Sequence, residues 1–374
     1  MPASLSVGIL NISREMLKAA GAGRAKNSVM LPTAALIPHV RHALALCCIL
    51  FITLFNMSQP RALAIAIAID IQGHRGTRGL LPENTLPAFA RALSIGVTTL
   101  ELDCAITQDG IVVVSHDSTL NPDITRDAGG QWLKRADQAI SQLTFDELQR
   151  YDVGRIDPLS AYRARYPRQQ PMDGTRMPRL EDVFALARKA GNDVVRFSIE
   201  TKISPLHPQR TLTPAAFAKA LISIIKNNNL EHRAVVQSFD WRTLAVVQQE
   251  APEIKTVYLS AQQSFMDNIL AHAASSPWNA GRHVSQFGGS IPRMVKAAGG
   301  AVWSPYFGDV NTTAIKEAQS LGLAVVVWTV NSEADMRRMM ALGVDGIISD
   351  YPDVLRRVAG EQGYALPVAT PVSP

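Results

Sequence analysis

Glu101 and Asp103 stand two residues apart in the run Thr98–Ile106, TTLELDCAI, whose other members are mostly apolar. A strand alternates faces with period 2, so both carboxylates share one face and Leu100, Leu102 and Cys104 take the other. Two acids on one face repel and are costly to bury without a counter-charge. A divalent cation with oxygen ligands, Ca²⁺ or Mg²⁺, answers both problems. An isolated Glu-x-Asp is more often a solvated strand face; the apolar flanks argue otherwise here. Glu200 and Lys202 repeat the spacing in Phe197–Lys202, FSIETK. Glu200 offers a third carboxylate to the same ion, and Lys202 a charge for a phosphate oxygen; the plain alternative is a surface ion pair.

His116 closes the β-type run Ile111–Ser115, and His74 closes the first strand just before Arg75-Gly76. Imidazoles at strand ends are placed for proton transfer near neutral pH. The Arg75 guanidinium is a fork matched to phosphate oxygens. The other histidines lack such a position. Gly73, Gly76 and Gly79 allow close backbone approach around the first His, and Pro82-Glu83-Asn84-Thr85 reads as a turn capping a helix, with Pro82 and Asn84 structural. Trp328 ends a late apolar run and reads equally as substrate wall or barrel core.

Two frameworks could bring these groups together. Predicted strands are Val97–Ile106, Ile111–Ser115, Asp193–Thr201, Ala234–Ser238, Lys255–Leu259, Gly300–Ser304, Leu323–Thr329 and Asp345–Ser349. Amphipathic segments lie between many of them: Thr85–Ile95, Leu180–Ala190, Pro214–Asn227, Trp241–Glu250, Thr312–Leu321 and Glu333–Leu342. Runs such as Ala324–Trp328, AVVVW, are apolar throughout, as strands covered on both faces are. Repeated strand–helix units predict an α/β fold, a (β/α)8 TIM barrel over residues 70–360, whose sites form at the C-terminal ends of its strands. A doubly wound sheet is the alternative, weakened because no Gly-x-Gly-x-x-Gly turn follows the first strand. Residues 118–178 break the rhythm and are read as an insertion on the barrel mouth. The Pro-rich tail 361–374 is expected to be flexible.

The chain is 374 residues long with a formal net charge of +5. Residues 1–69 hold six bases and one acid; taking these from the totals of 37 and 32 leaves 31 of each. The basicity therefore belongs to the leader, and a nucleic-acid role has no support. Within the leader, Arg41-His42 precede the apolar run Ala43–Phe55, and Ala62-Leu63-Ala64 follows. That is the pattern of a secretory signal peptide, implying a periplasmic or secreted product. An uncleaved membrane anchor is the alternative, and the membrane would be reached only through it. Cys47 and Cys48 lie in the leader, so the body holds Cys104 alone and no internal disulfide. Oligomeric state is not legible.

Several motifs occur in order: Gly73-His74-Arg75-Gly76, Pro82-Glu83-Asn84-Thr85, Glu101-Leu102-Asp103, Thr107-x-Asp109-Gly110, Val113–Asp117, Asn121 to Arg126, Glu200-Thr201-Lys202, Gln237-Ser238-Phe239, Trp328-Thr329-Val330-Asn331 and Asp345–Asp353. Taken together over residues 70–357, they resemble the glycerophosphodiester phosphodiesterase family, in particular its periplasmic bacterial type. The resemblance implies a (β/α)8 barrel that hydrolyses small glycerophosphodiesters to glycerol 3-phosphate and an alcohol. It implies His74 and His116 as the acid/base pair, Glu101, Asp103 and Glu200 as ligands of one divalent cation, and Arg75 and Lys202 as phosphate contacts. Ser198 departs from the family pattern, where Asn is common, and puts one supporting contact in doubt. A lipid phosphodiesterase of the phospholipase or sphingomyelinase-D kind would want an exposed apolar rim, for which Tyr151, Tyr162 and Tyr166 are the candidates. A non-catalytic phosphate-ester binding protein is the third reading; the intact acids and both His argue against it.

Overall fold

The computed structural model describes residues 68–374. The leader's apolar run and its Ala-x-Ala triplet lie outside the described residues. Eight parallel strands close on themselves: β1 (Asp70–Gly73), β2 (Thr99–Ile106), β4 (Arg196–Thr201), β5 (Ala234–Ser238), β6 (Lys255–Ser260), β9 (Val302–Pro305), β10 (Ala324–Val327) and β11 (Gly346–Ser349). Closure is made by β1, which pairs with β11 on one side and β2 on the other. The expected (β/α)8 barrel is therefore the fold, and the doubly wound sheet is not.

Helices return the chain from each strand and bury their apolar stripes on the barrel wall. Thr85, Thr213 and Ser332 each accept a backbone N–H in the first turn of a following helix. Pro87, Pro214 and Pro352 stand in first turns, where the missing N–H costs nothing. Phe89, Leu93, Phe184, Phe217, Leu221 and Val247 are all buried. They pack in one core with Leu100, Leu102 and Cys104, the outward residues of β2. The outward side of β2 is thus committed to packing, which leaves the inward side for Glu101 and Asp103.

Several expectations need correction. Ile111–Ser115 holds the expected strand, but it is not one of the eight that close the barrel. Its centre, β3 (Val112–Val114), turns back antiparallel on β2 through the Thr107–Gly110 turn, where Gly110 has a φ of 84°. The helices Ile291–Ala297 and Pro352–Glu361 and the small hairpin of β7 (Gln262–Gln263) and β8 (Met266–Asp267) were not foreseen. The tail is docked rather than frayed. Thr370 donates its backbone N–H to Leu93 O at 2.9 Å, and Arg356 Nη1 donates to Pro367 O at 2.6 Å.

The insertion 118–178 folds around its own small core of Leu120, Ile140, Leu148, Val153 and Met177, set against Ala105 and Val113. Asp152 pairs with Arg126 and accepts the backbone N–H groups of Gly154 and Gly174, which fixes the loop. The short helix Ala161–Arg165 delivers Arg165 and Tyr166 to the barrel cleft, so the insertion does sit on the mouth. The three tyrosines do not form the exposed rim that the alternative lipid-phosphodiesterase reading would want. Tyr151 packs on the insertion core, Tyr166 is buried, and the Tyr162 hydroxyl donates to Glu83 Oε2.

Candidate active site

Parallel pairing sets the acids. In the β2–β4 register Asp103 lies opposite Glu200, and in the β4–β5 register Glu200 lies opposite Gln237. One row across three strands therefore carries Asp103, Glu200 and Gln237 inward, with Glu101 one pleat earlier on β2. Oxygens of Glu101, Asp103 and Glu200 come within 4.8 Å of one another, and all three residues are buried. Gln237 donates to Glu101 Oε1 at 2.7 Å, and Asn84 donates to Asp103 Oδ2 at 2.9 Å. Asn84 is therefore a positioning group rather than mere turn chemistry, and it pays for that place with a φ of 58°.

The loop after β1 wraps tightly over the acids. A Cβ on Gly73 would stand 2.3 Å from Gly76 O, and one on Gly76, at φ 81°, 2.8 Å from the Ala88 carbonyl carbon. Only glycine fits either place. Arg75, itself at φ 49°, can then donate its backbone N–H to Glu101 Oε2 at 2.9 Å. Its guanidinium is engaged by Glu83, with Nε 3.4 Å from Asp103 Oδ2. Glu83 is held in turn by the Tyr162 hydroxyl, so the insertion buttresses Arg75.

Each histidine has a carboxylate behind it. His74 Nδ1 is 2.7 Å from Asp350 Oδ1, and its Nε2 is 3.9 Å from Glu101 Oε2. Asp350 is fully buried and also accepts from Arg78 Nε at 2.7 Å, Arg78 Nη2 at 3.0 Å and Asn331 Nδ2 at 2.7 Å. With the carboxylate ionised, Nδ1 carries the hydrogen and Nε2 faces the cleft with a lone pair. His116 Nδ1 is 3.0 Å from Asp117 Oδ1, and Asn121 donates to the other Asp117 oxygen at 2.8 Å. Asp350, Arg78, Glu83 and Asn331 had no assigned role in the sequence reading. Asp350 lies inside the motif Asp345–Asp353, yet nothing in that string says which acid reaches back to β1.

Charges are unevenly distributed. Burial raises Asp103, but Lys202 and Arg75 outweigh it and hold its carboxyl well below the usual range. Burial and the neighbouring Asp103 push Glu101 well up, and burial, against the pull of Lys202, pushes Glu200 up to about 7. Burial and Arg78 lower His74 to about 4 despite Asp350; burial, Arg75 and Lys202 lower His116. Both rings are thus neutral near pH 7. Lys202 Nζ donates to Glu200 Oε1 at 2.8 Å and stands 3.6 Å from Asp103 Oδ1.

These groups line a cleft of about 410 Å³ at the C-terminal ends of the strands, bounded by Arg78, Arg165, Tyr166 and Asn331 on one side and Phe239, Trp328 and Phe265 on another. Every residue singled out from the sequence as a site residue reaches this cleft or, for Asp103, lies directly beneath it. Trp328 is wall rather than core: it is half-buried and donates Nε1 to Ser304 O at 2.9 Å. Ser198 pairs with Glu101 across the strands and lines a cavity with Gln72, Gln237 and Ser304.

Asp350 is central to this packing. Asp350→Ala strands the buried Arg78 guanidinium without its bidentate partner, which typically costs ~3–5 kcal/mol. Urea unfolding of this variant should show a loss of that order; an unchanged midpoint would mean that Arg78 finds another partner.

Residues 74–354 match the Glycerophosphoryl diester phosphodiesterase family along nearly the whole barrel. The chain belongs to that family. Among solved structures, a Silicibacter pomeroyi protein with the same family assignment is 35% identical, with a TM-score of 0.71, over 80% of this chain and 96% of that one. The glycerophosphodiester phosphodiesterase of Caldanaerobacter subterraneus subsp. tengcongensis is 27% identical over 291 residues, 78% of this chain and 97% of the relative. That of Bacillus subtilis is 28% identical over 319 residues, 82% of this chain and 89% of the relative.

Proposed function

We propose that the protein is a metal-dependent hydrolase of glycerophosphodiesters, releasing glycerol 3-phosphate and an alcohol. The observation that carries this reading is the convergence of three carboxylates, Lys202 and two carboxylate-backed imidazoles in one cleft. Family membership supports the ester class.

Glu101, Asp103 and Glu200 suit a divalent cation, Ca²⁺ or Mg²⁺. Two acids are forced towards protonation by burial and by their neighbour Asp103, and Asp103 Oδ1 has no hydrogen-bond partner among the described residues. Bound there, such an ion would neutralise phosphoryl charge and lower the pKa of an attacking hydroxyl. Lys202 and Arg75 add positive charge beside the developing phosphorane oxygens. One imidazole, neutral with its Nε2 lone pair towards the nucleophile, takes the nucleophile's proton. The other acts once solvent has protonated its Nε2, as an imidazolium backed by its carboxylate, and gives that proton to the departing alkoxide. The nucleophile is water or the glycerol 2-hydroxyl, the latter giving a cyclic phosphate first. Asp350 and Asp117 hold the rings in the tautomer that points Nε2 at the substrate.

Because Glu200 titrates at about 7 without the ion, metal binding must displace its proton at lower pH. Glu101, pushed up as well, adds a second displaced proton, so the apparent affinity should rise with pH through the neutral range, by up to about tenfold per pH unit for each proton displaced. Calorimetry in buffers of different ionisation enthalpy should detect proton release at pH 6.5. No release at that pH would place the ion elsewhere.

We also infer export. The leader pattern supports a periplasmic or secreted enzyme, with membrane anchoring as the alternative. Residues 1–69 would then be dispensable for activity, and residues 70–360 would carry the barrel. Among the described residues no helix is long and apolar enough to cross a membrane. Mass spectrometry of the mature protein should find a start after Ala64; a species beginning before Arg61 would count against cleavage at that site.

The activity is tested by incubating the purified protein with glycerophosphocholine, glycerophosphoethanolamine and intact phosphatidylcholine. Glycerol 3-phosphate should appear from the first two. Turnover of the intact lipid alone would favour a phospholipase instead.

A further inference from the structure

The acids sit between two lobes of different character. The lobe on the Arg78 side is polar and charged, with Arg78, Arg165, Asn331 and Asp350 on its walls. The lobe beyond His116 and Lys202, about 390 Å³ in volume, is walled by Ile203, Phe239, Phe265, Met266, Trp278 and Trp328. The two share His116, Glu200, Lys202, Phe239, Phe265 and Trp328, so both open on the same reacting centre. A phosphodiester has two arms. The polar lobe offers donors and acceptors suited to the two hydroxyls of a glycerol arm. The second arm then meets a lobe with one broad aromatic and aliphatic wall, opposite the reacting groups, and with Ser118, Ser204, His207 and Thr211 at its margin.

Resting on the glycerophosphodiesterase reading above, we propose that this second lobe selects leaving alcohols that carry an uncharged hydrocarbon substituent, alkyl or aryl. The carboxylates that face it argue against a cationic head group. Asp117 is engaged by His116 and Asn121, and Glu200 Oε1 by Lys202, so the charge of each is already paired within the site. The aromatic wall is packed edge to face: Phe239 on Trp328 at 5.3 Å and 89°, and Phe265 on Tyr306 at 5.3 Å and 77°. Its lip is unusually bare. Phe265, between β7 and β8, is 64% exposed; Leu206, in the loop whose Ile203, Ser204 and His207 line the lobe, is 62% exposed. Large apolar side chains left in water at the mouth of an apolar lobe are accounted for when a hydrocarbon lies across them.

Hydrocarbon entering the lobe leaves water, so kcat/KM should rise with chain length at roughly threefold per buried methylene. The test uses a series of glycerophospho-n-alkyl esters from ethyl to hexyl, all with the same phosphate and leaving oxygen. Glycerophosphocholine is compared with its uncharged isostere, the 3,3-dimethylbutyl ester. The proposal expects at least about tenfold higher kcat/KM for hexyl than for ethyl, and an isostere at least as good as the choline ester. Phe265→Ser and Leu206→Ser should each flatten the chain-length slope, with the ethyl ester reporting any general damage. Equal kcat/KM across the series would overturn the proposal while leaving the hydrolase reading standing. A choline ester clearly better than its isostere would overturn it in favour of cation–π recognition. No turnover of any ester would instead remove the hydrolase reading itself.

Discussion

Asp103→Asn should lower kcat/KM by roughly 10³-fold at saturating metal, because an ion of this kind supplies several kcal/mol of transition-state stabilisation. Asp103 is the carboxylate on which the site's charges converge. It stands 3.6 Å from Lys202 Nζ, 3.4 Å from Arg75 Nε and opposite Glu200 in the strand register. Those cations keep it ionised while burial, with Asp103 beside them, drives Glu101 and Glu200 towards protonation. It is therefore the member of the trio already charged before any ion arrives. An amide keeps the shape and removes the charge, so the variant should fold. Its metal affinity, read by calorimetry, should fall along with its turnover. Near-normal kcat/KM with unchanged metal affinity would show that the trio is a structural charge cluster.

Alanine at His74 or His116 should each reduce kcat by ~10²–10⁴-fold, the usual contribution of a positioned acid or base. The two effects should not simply add, since residues acting as one unit rarely do. The structure makes the two rings near equals, each neutral and each with a carboxylate on Nδ1. Substrate chemistry can tell them apart. A p-nitrophenyl leaving group needs little protonation, so removing the general acid should cost far less on that ester than on an alkyl ester. Removing the base should cost about the same on both. If either variant keeps wild-type turnover on alkyl esters, that ring has no part in proton transfer.

Much of this site was legible in the sequence because strand periodicity is a local rule. Glu-Leu-Asp and Glu-Thr-Lys could each be read as one-faced pairs, with the intervening Leu102 turned to the core. The resemblance in motif order supplied what periodicity lacks, namely that the two pairs stand side by side. The strand register then showed how, with Asp103 directly across from Glu200. What stayed hidden was long-range and specific. Asp350 supports His74 from 276 residues away, and Tyr162 supports Glu83 from 79 residues away. Neither partner is marked by spacing or composition. Ile111–Ser115 reads as a strand, and it holds one; that it lies in a hairpin rather than in the barrel was hidden because a short apolar run looks the same in both. The tail looked free because its Pro content says nothing of the Leu93 carbonyl that accepts from Thr370 or of the Asn192 side-chain amide that donates to it. The side chain of Asn84 was read as turn chemistry, and only its contact with Asp103 reveals that it also orients a candidate ligand.

The most direct test of the central claim is glycerol 3-phosphate release from glycerophosphoethanolamine by protein stripped with chelator, before and after Ca²⁺ or Mg²⁺ is restored. The account predicts negligible release from the stripped protein and recovery with one of the two ions, and no recovery in Asp103→Asn. Full release from the stripped protein would contradict the role given to Glu101, Asp103 and Glu200.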